Sequence, residues 1–158
     1  MTRIELVVPV QIAAPADTVW QVVTDWPAQG QWILGTRVTV RGPGDGRRLG
    51  ARFDAFTGVG PVGFSDPMEI TEWEPPRRCV VTHPGRVVRG DGVFEVVPLG
   101  PDRAEFVWTE RLDLPLGAVG RLGWPLVRPA FRSGVGYSLR RLAQLCEASH
   151  RGMRSDGG

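Results

Sequence analysis

Three polar side chains in the second half of the chain could move a proton or orient a ligand, and Glu110 is one of them. It alternates with Trp108 and Leu112 along a predicted strand, so its register places a carboxylate on the apolar face. A carboxylate there would be desolvated and would have a raised pKa, as in general acid or base sites. The more common outcome, which we expect, is a position near the strand end and an ion pair with an arginine such as Arg128 or Arg132.

His83 and Arg89 are the other two candidates for a catalytic role. His83 ends a predicted strand beside Pro84 and Gly85, which favours a position at the rim of the fold. If it faced inward instead, it could serve as an acid or base for an enolisable ligand. Arg89 lies within a predicted strand and could orient a ligand carbonyl or carboxylate. Most arginines in such positions are solvated on the outer face of a sheet.

The sequence lacks the residue patterns of Schiff-base, nucleophilic, nucleotide-binding and metal-dependent sites. All 19 basic residues are arginine, which excludes Schiff-base chemistry and a phosphate-loop lysine. No Gly-x-Ser-x-Gly motif is present, and no Gly-x-Gly-x-x-Gly loop opens a helix. Cys79 and Cys146 lack paired spacing, and neither His83 nor His150 belongs to a cluster with metal-ligand spacing. We therefore expect no disulfide, no metal and no other cofactor.

Length and composition are those of one globular domain that is large enough to enclose a cavity. The chain has 158 residues, of which 42% are hydrophobic and 23% are charged. A net charge of +2 gives no reason to expect a nucleic-acid partner. No apolar run approaches the length of a membrane helix, and the N-terminus lacks a signal-peptide pattern. We expect a cytoplasmic protein, monomeric or homodimeric, and the absence of lysine and asparagine resembles the codon bias of a high-GC bacterial genome.

Charge is divided unevenly along the chain. Residues 1–113 carry 12 arginines and 15 acidic residues, whereas residues 114–158 carry 7 arginines and 2 acidic residues. Arg121, Arg128 and Arg132 could share one helix face and contact an anionic membrane surface. A solvated helix face is the more common explanation of such a pattern, so contact with a membrane is a minor alternative.

The spacing of apolar residues predicts the elements that must position these candidates. Alternation predicts a first strand over residues 3–12, and Pro15 suits the first turn of a helix. A second, short helix is predicted over residues 27–33. Further strands are predicted over residues 36–41, 49–58, 66–74, 78–83, 86–97 and 103–113.

A glycine-rich loop and a long helix complete the predicted elements. The loop covers residues 58–63, between two of the strands. The helix covers residues 116–149, with a kink or a break at Pro125 and Pro129. We expect residues 1–150 to form a single domain and residues 151–158 to form a polar, disordered tail.

A curved sheet that is covered by one long helix leaves a gap in which a ligand would lie. Trp32 is expected to cap the mouth of that cavity. The orientation of Phe56 and Trp73 depends on whether a bulge interrupts the strand alternation. Each candidate could also serve only as core filler. The other predicted ligand-binding residues, from the inner face of the sheet and from the long helix, are Phe53, Met68, Ile70, Phe94, Trp108, Leu126 and Phe131.

Three parts of the sequence carry a resemblance to a known family. They are residues 12–20 with the following Asp25-Trp26, residues 68–78, and the long C-terminal helix. By these features, over residues 3–148, the chain resembles the polyketide cyclase/dehydrase-like branch of the START-like (SRPBCC) superfamily, which includes the birch-pollen allergen. The resemblance implies an α+β helix-grip fold, with a curved antiparallel sheet of about seven strands around the C-terminal helix and two short helices after the first strand. It also implies a large internal cavity for an apolar or aromatic molecule.

Two functions follow as hypotheses. In the first, the protein binds a hydrophobic, aromatic or polyketide-like small molecule between the sheet and the C-terminal helix. In the alternative, it is an enzyme of the cyclase or dehydrase type, which positions the ligand and uses polar groups of the cavity for proton transfer. Glu110, His83 and Arg89 would then be the catalytic residues.

Overall fold

The computed structural model describes residues 3–86, 88–113 and 118–157, which form seven strands and three helices. The first strand is followed by a helix and a short 3-10 helix, then by six strands and a long helix. The elements are β1 (Arg3–Ile12), α1 (Ala16–Val23), the 3-10 helix (Trp26–Gln31), β2 (Thr36–Arg41), β3 (Arg52–Val59), β4 (Val62–Glu74), β5 (Arg78–His83), β6 (Gly90–Gly100), β7 (Arg103–Asp113) and α2 (Ala118–Asp156).

The seven described strands form one antiparallel sheet in the order β1-β7-β6-β5-β4-β3-β2. Consecutive strands from β2 to β7 are neighbours, and β1 completes the sheet by pairing with β7. The chain therefore has the predicted α+β helix-grip architecture, with an open sheet and a long C-terminal helix. Among the described residues, no helix is long and apolar enough to cross a membrane.

The glycine-rich loop predicted over residues 58–63 is wrong, because most of this segment is a tight hairpin. Gly58 pairs with Gly63, and Val59 pairs with Val62, so only Gly60 and Pro61 form the turn. A Cβ atom added to Gly58 would lie 2.2 Å from the carbonyl oxygen of Val62. The two strands approach so closely here that only glycine fits. This close approach, and not a loop, explains why the segment is rich in glycine.

Other boundaries differ from the prediction at the ends of elements. The sixth strand begins at Gly90 and not at residue 86, because Pro84 and Gly85 are followed by a longer connection. The long helix is continuous across Pro125 and Pro129 and extends to Asp156, so residues 151–156 are helical where a disordered tail was expected.

The core extends over the inner face of the sheet, α1, the 3-10 helix and the second half of α2, and one part of it lies where α2 crosses β1 and α1. Ile12, Leu142 and Cys146 are fully buried there, and Leu139 is nearly so. The first part of α2 is different, because Leu126 keeps 82% of its surface exposed. The helix is therefore anchored by its second half, and the sheet has room for a cavity opposite the middle of the helix.

A candidate ligand cavity with a polar row

A cavity of about 380 Å³ lies between the sheet, the 3-10 helix and the middle of α2. This volume is in the range of small-molecule sites in proteins. Its walls are mainly apolar and aromatic, because the inward positions of alternating strands supply large side chains. The large apolar residues that line it are Trp26, Ile33, Leu34, Phe53, Phe64, Met68, Phe94, Trp108, Leu112 and Phe131.

Four residues on four adjacent strands form what we call the polar row of this cavity: Asp66 of β4, His83 of β5, Gly92 of β6 and Glu110 of β7. Gly92 is the direct partner of Glu110. The register that pairs His83 with Gly90 sets His83 diagonally from Gly92. Because Gly92 has no side chain, His83 and Glu110 can extend towards each other across the strand that separates them.

The side chains of the polar row are almost completely removed from solvent. Exposure is 9% for Asp66, 10% for His83 and 13% for Glu110. The His83 Nδ1 atom lies 2.6 Å from Asp66 Oδ2, and the Trp108 indole N–H donates to Glu110 Oε1 over 2.6 Å. An ionised carboxylate only accepts hydrogen bonds, so Nδ1 carries the proton in the His83–Asp66 contact. The Nε2 atom of His83 then faces Glu110 Oε2 at 3.9 Å.

Burial and mutual charge perturb both titratable groups that face the gap. Desolvation raises the pKa of Glu110 to about 7, against the opposing effects of His83 and of the Trp108 hydrogen bond. Burial alone would lower the pKa of His83. The hydrogen bond to Asp66 and the negative charges of Glu110 and Asp66 outweigh that effect, so the pKa of His83 is raised. Glu110 therefore titrates near neutral pH, and its neighbours favour the protonated form of His83, so the two groups can take up and release a proton.

Seven of the residues proposed from the sequence line the cavity. The inward alternation of β7 is as predicted, since Trp108 and Glu110 share the cavity face. His83 is also inside and not at the rim, because β5 ends beneath the cavity and Asp66 accepts its Nδ1–H. Glu110 pairs with His83 and Trp108 rather than with Arg128 or Arg132. The seven predicted residues that line the cavity are His83, Glu110, Phe53, Met68, Phe94, Trp108 and Phe131.

Three predicted site residues lie away from the cavity on the surface of the fold. Arg89 is exposed in the connection before β6, so it is not placed to orient a ligand. Leu126 is 82% exposed, because the first part of α2 does not pack against the sheet. Phe56 points to the outer face of β3, where the guanidinium of Arg37 lies 5.3 Å from its ring centroid.

Three more predicted ligand contacts belong to the core and do not line the cavity. Ile70 is 1% exposed, and Trp32 is 1% exposed against Phe94 instead of capping the mouth. The indole nitrogen of Trp32 has no hydrogen-bond partner among the described residues. Trp73 faces inward because the register of β4 shifts between Ile70 and Glu72, and its ring packs 5.2 Å from that of Trp20.

Asp66 is the one side chain of the polar row that the sequence analysis did not include among the site residues. Its position could have been found, because Asp66 shares the alternation of Met68 and Ile70, both of which were expected to face inward. A buried aspartate on an apolar face needs a partner, and β5 supplies one in His83. Its second oxygen, Oδ1, is buried and has no hydrogen-bond partner in the described part of the chain.

The described residues contain neither a cluster of metal ligands nor a reactive cysteine. Within these residues, no group of three or more His, Cys, Asp or Glu side chains is arranged to hold a metal ion. Cys79 and Cys146 are both buried and unpaired. Burial raises the pKa of each thiol to about 12, which makes both inert as nucleophiles.

Comparison with known proteins identifies the family. The sequence profile of the family described as polyketide cyclase/dehydrase and lipid transport matches residues 3–147. The chain belongs to this family. Membership supports a role in ligand binding or in cyclisation, and the resemblance stated from the sequence is confirmed. A comparison with curated protein sequences finds no match.

Solved structures of the START-like superfamily share the fold at low sequence identity. The Zhui aromatase/cyclase from Streptomyces sp. R1128 has a TM-score of 0.78 at 17% identity, with 99% of each chain covered. A START superfamily protein from Mycobacterium smegmatis has a TM-score of 0.64 at 18% identity, covering 94% of this chain and 98% of its own. Norcoclaurine synthase from Thalictrum flavum has a TM-score of 0.63 at 18% identity, covering 92% of this chain and 94% of its own. These matches establish the shared helix-grip fold.

Proposed function

We propose that this member of the polyketide cyclase/dehydrase family binds an apolar, aromatic or polyketide-like small molecule in the cavity between the sheet and α2. The observation that carries the proposal is the lining of that cavity. Phe53, Phe94, Trp108 and Phe131 present wide rings to a space of about 380 Å³. Flat ring faces suit a planar ligand better than a flexible chain, because aromatic groups pack in offset or edge-to-face contacts.

The first experiment is extraction of the purified protein under denaturing conditions, followed by mass spectrometry and comparison with its native mass. A stoichiometric apolar passenger would support the proposal and reveal the chemical class of the ligand. A panel of naphthalene and anthraquinone derivatives is then added to protein without a passenger, and thermal stability is measured. Binding to the folded state raises the melting temperature. If no member of the panel moves it, the proposal fails.

The alternative is that the protein also acts on its ligand as a cyclase or dehydrase. The observation that favours this is the approach of His83 and Glu110 in a cavity with apolar walls. Asp66 would hold the imidazole in one tautomer, and Glu110 would face the same bound atoms. A carboxyl group with a pKa of about 7 and an imidazole that face one small space are suited to acid–base catalysis.

In a dehydration, the Glu110 carboxylate would take the proton from the carbon between a ketone and a carbinol. The protonated His83 would give its Nε2 proton to the departing hydroxyl. The C–H and C–O bonds break, a carbon–carbon double bond forms, and water leaves. No oxidant or reductant is required.

Turnover of 3-hydroxy-1,3-diphenylpropan-1-one to chalcone and water tests this alternative, since the conjugated product absorbs in the near ultraviolet. Substitution of Glu110→Gln or His83→Gln is expected to reduce turnover by about 10²-fold or more. Glu105→Gln, a substitution of the same type on the opposite face of β7, is the matched control and retains turnover. If the wild-type protein and the three variants have equal rates, or if none exceeds the rate in buffer, the catalytic alternative fails and only the binding function remains.

A further inference from the structure

We infer that the polar row is a subsite for one uncharged hydroxyl oxygen of the ligand, seated over Gly92 between His83 Nε2 and Glu110 Oε2. The inference rests on the proposed function, because it concerns how a ligand in the same cavity is oriented. It names the chemical class as well: a planar molecule that carries a phenol-type or enol hydroxyl at one edge.

The distance between the two groups is suited to a bridging atom. His83 Nε2 and Glu110 Oε2 are 3.9 Å apart, which is too far for a direct hydrogen bond. An oxygen placed about 2.8 Å from each atom would lie about 2 Å to one side of the line that joins them. That position makes two hydrogen bonds of ordinary length, so the pair is spaced for a bridging atom.

Gly92 supplies the space for that atom. A Cβ atom added there would lie 3.2 Å from Glu110 Oε1 and 3.5 Å from His83 Nε2. Any side chain at this position would therefore occupy the space that the two polar groups enclose. The backbone of Gly92 does not have a left-handed φ angle, so its conformation does not require glycine. The missing side chain keeps the subsite open.

The hydrogen-bond capacity of the row selects a hydroxyl among oxygen groups. Trp108 already donates to Glu110 Oε1, which leaves Oε2 free to accept. His83 Nδ1 is engaged with Asp66, so the imidazolium donates through Nε2. A hydroxyl can accept from Nε2 and donate to Oε2 at the same time, whereas an ether can only accept. A carboxylate or phenolate has no hydrogen to donate to Oε2. Its negative charge would also be repelled by the charges of Glu110 and Asp66.

The test compares 2-naphthol with naphthalene, two flat molecules that differ by one hydroxyl. The dissociation constants of the wild-type protein and of Gly92→Ala are measured at pH 7.5, above the pKa of about 7 of Glu110, so that Oε2 can accept a hydrogen bond. We expect the wild-type protein to bind 2-naphthol about tenfold or more tightly than naphthalene. In Gly92→Ala the ratio falls to about one, because the methyl group displaces the hydroxyl while naphthalene does not use the subsite.

The nuclear magnetic resonance signals of the His83 imidazole in the wild-type protein give a second readout. They test whether the hydroxyl lies beside His83 even if Gly92→Ala does not fold. These signals move when 2-naphthol binds and move less with naphthalene. If both molecules bind with equal affinity and neither moves the His83 signals differently, the subsite is wrong and the proposed binding function stands. If neither molecule binds, the proposed function fails and the subsite fails with it.

Discussion

His83 on β5 and Glu110 on β7 face each other across β6, which lies between their strands, and His83 Nε2 is 3.9 Å from Glu110 Oε2. Side chains on strands that are not neighbours are normally separated by the side chain of the strand between them. Gly92 removes that obstacle, and Asp66 holds the imidazole from the other side at 2.6 Å. The protonation of the row is therefore a property of three side chains together, and several measurable consequences follow from it.

Stability is expected to fall as the pH rises from about 5 to about 8. Burial raises the pKa of Glu110 from 4.5 to about 7, and the pKa of His83 is also raised, so the folded protein binds more protons than the unfolded chain in this range. The stabilisation is present at low pH and is lost as each group deprotonates, by up to about 3 kcal/mol for Glu110. The charged groups that act on the pair are Asp66 and Asp91.

Urea denaturation at a series of pH values measures this dependence. Glu110→Gln should flatten it, because the substitution removes one titrating group and one of the charges that raise the pKa of His83. Glu105→Gln, on the opposite face of the same strand, should retain the wild-type slope. A slope in Glu110→Gln that equals the wild-type slope would contradict the assignment.

Asp66→Asn is expected to lower the pKa of His83. Asparagine can still accept a hydrogen bond from Nδ1, but it carries no negative charge to favour the imidazolium form. Magnetic resonance titration of the two histidines measures the change directly. Asp102→Asn is the matched control, because it removes the carboxylate that lies 3.0 Å from His150 and leaves the polar row intact. An unchanged titration of His83 in Asp66→Asn would show that Asp66 has no influence on it.

Cys79 and Cys146 should not react with Ellman's reagent in the native protein. Both side chains are fully buried, and burial raises the pKa of each thiol to about 12, so the reactive thiolate is absent at neutral pH. In denaturant, both thiols should react at once. One equivalent of rapid reaction under native conditions would be incompatible with the burial of one of them.

Two leucines on α2 offer a direct comparison between its halves. Leu139 is 2% exposed and Leu126 is 82% exposed, although both belong to the same helix. Leu139→Ala should reduce the free energy of unfolding by about 2–5 kcal/mol, because it leaves a cavity in the core. Leu126→Ala should change it by less than about 0.5 kcal/mol. Similar losses from both substitutions would mean that the first part of the helix is packed against another surface.

Sequence alternation was sufficient for most of the sheet. On β7, the inward set that contains Phe106, Trp108 and Glu110 follows directly from the period of two, because the strand pairs with β1 without a register shift. Trp73 is a residue whose orientation the alternation does not predict. The shift between Ile70 and Glu72 changes the face on which every later residue of β4 lies, and nothing in the composition of that segment locates the shift.

The site itself depends on register, which a single sequence does not contain. His83 and Asp66 are 17 positions apart, and their contact requires the pairing of Glu69 with Thr82. Without that register, His83 was assigned to the rim on the strength of the neighbouring turn. The burial of Leu126 was overestimated for a related reason, since an apolar stripe on a helix does not show which part of the helix reaches the sheet.

The uneven anchoring of α2 leaves part of the cavity wall on this helix outside its most buried positions. Leu142 and Cys146 are fully buried and do not line the cavity, whereas Phe131 and Gly134 line the cavity and are only partly buried. Substitutions at these partly buried positions are therefore expected to change the free energy of unfolding less than substitutions at the buried core positions. A chain built in this way can acquire a different cargo through substitutions that its fold tolerates.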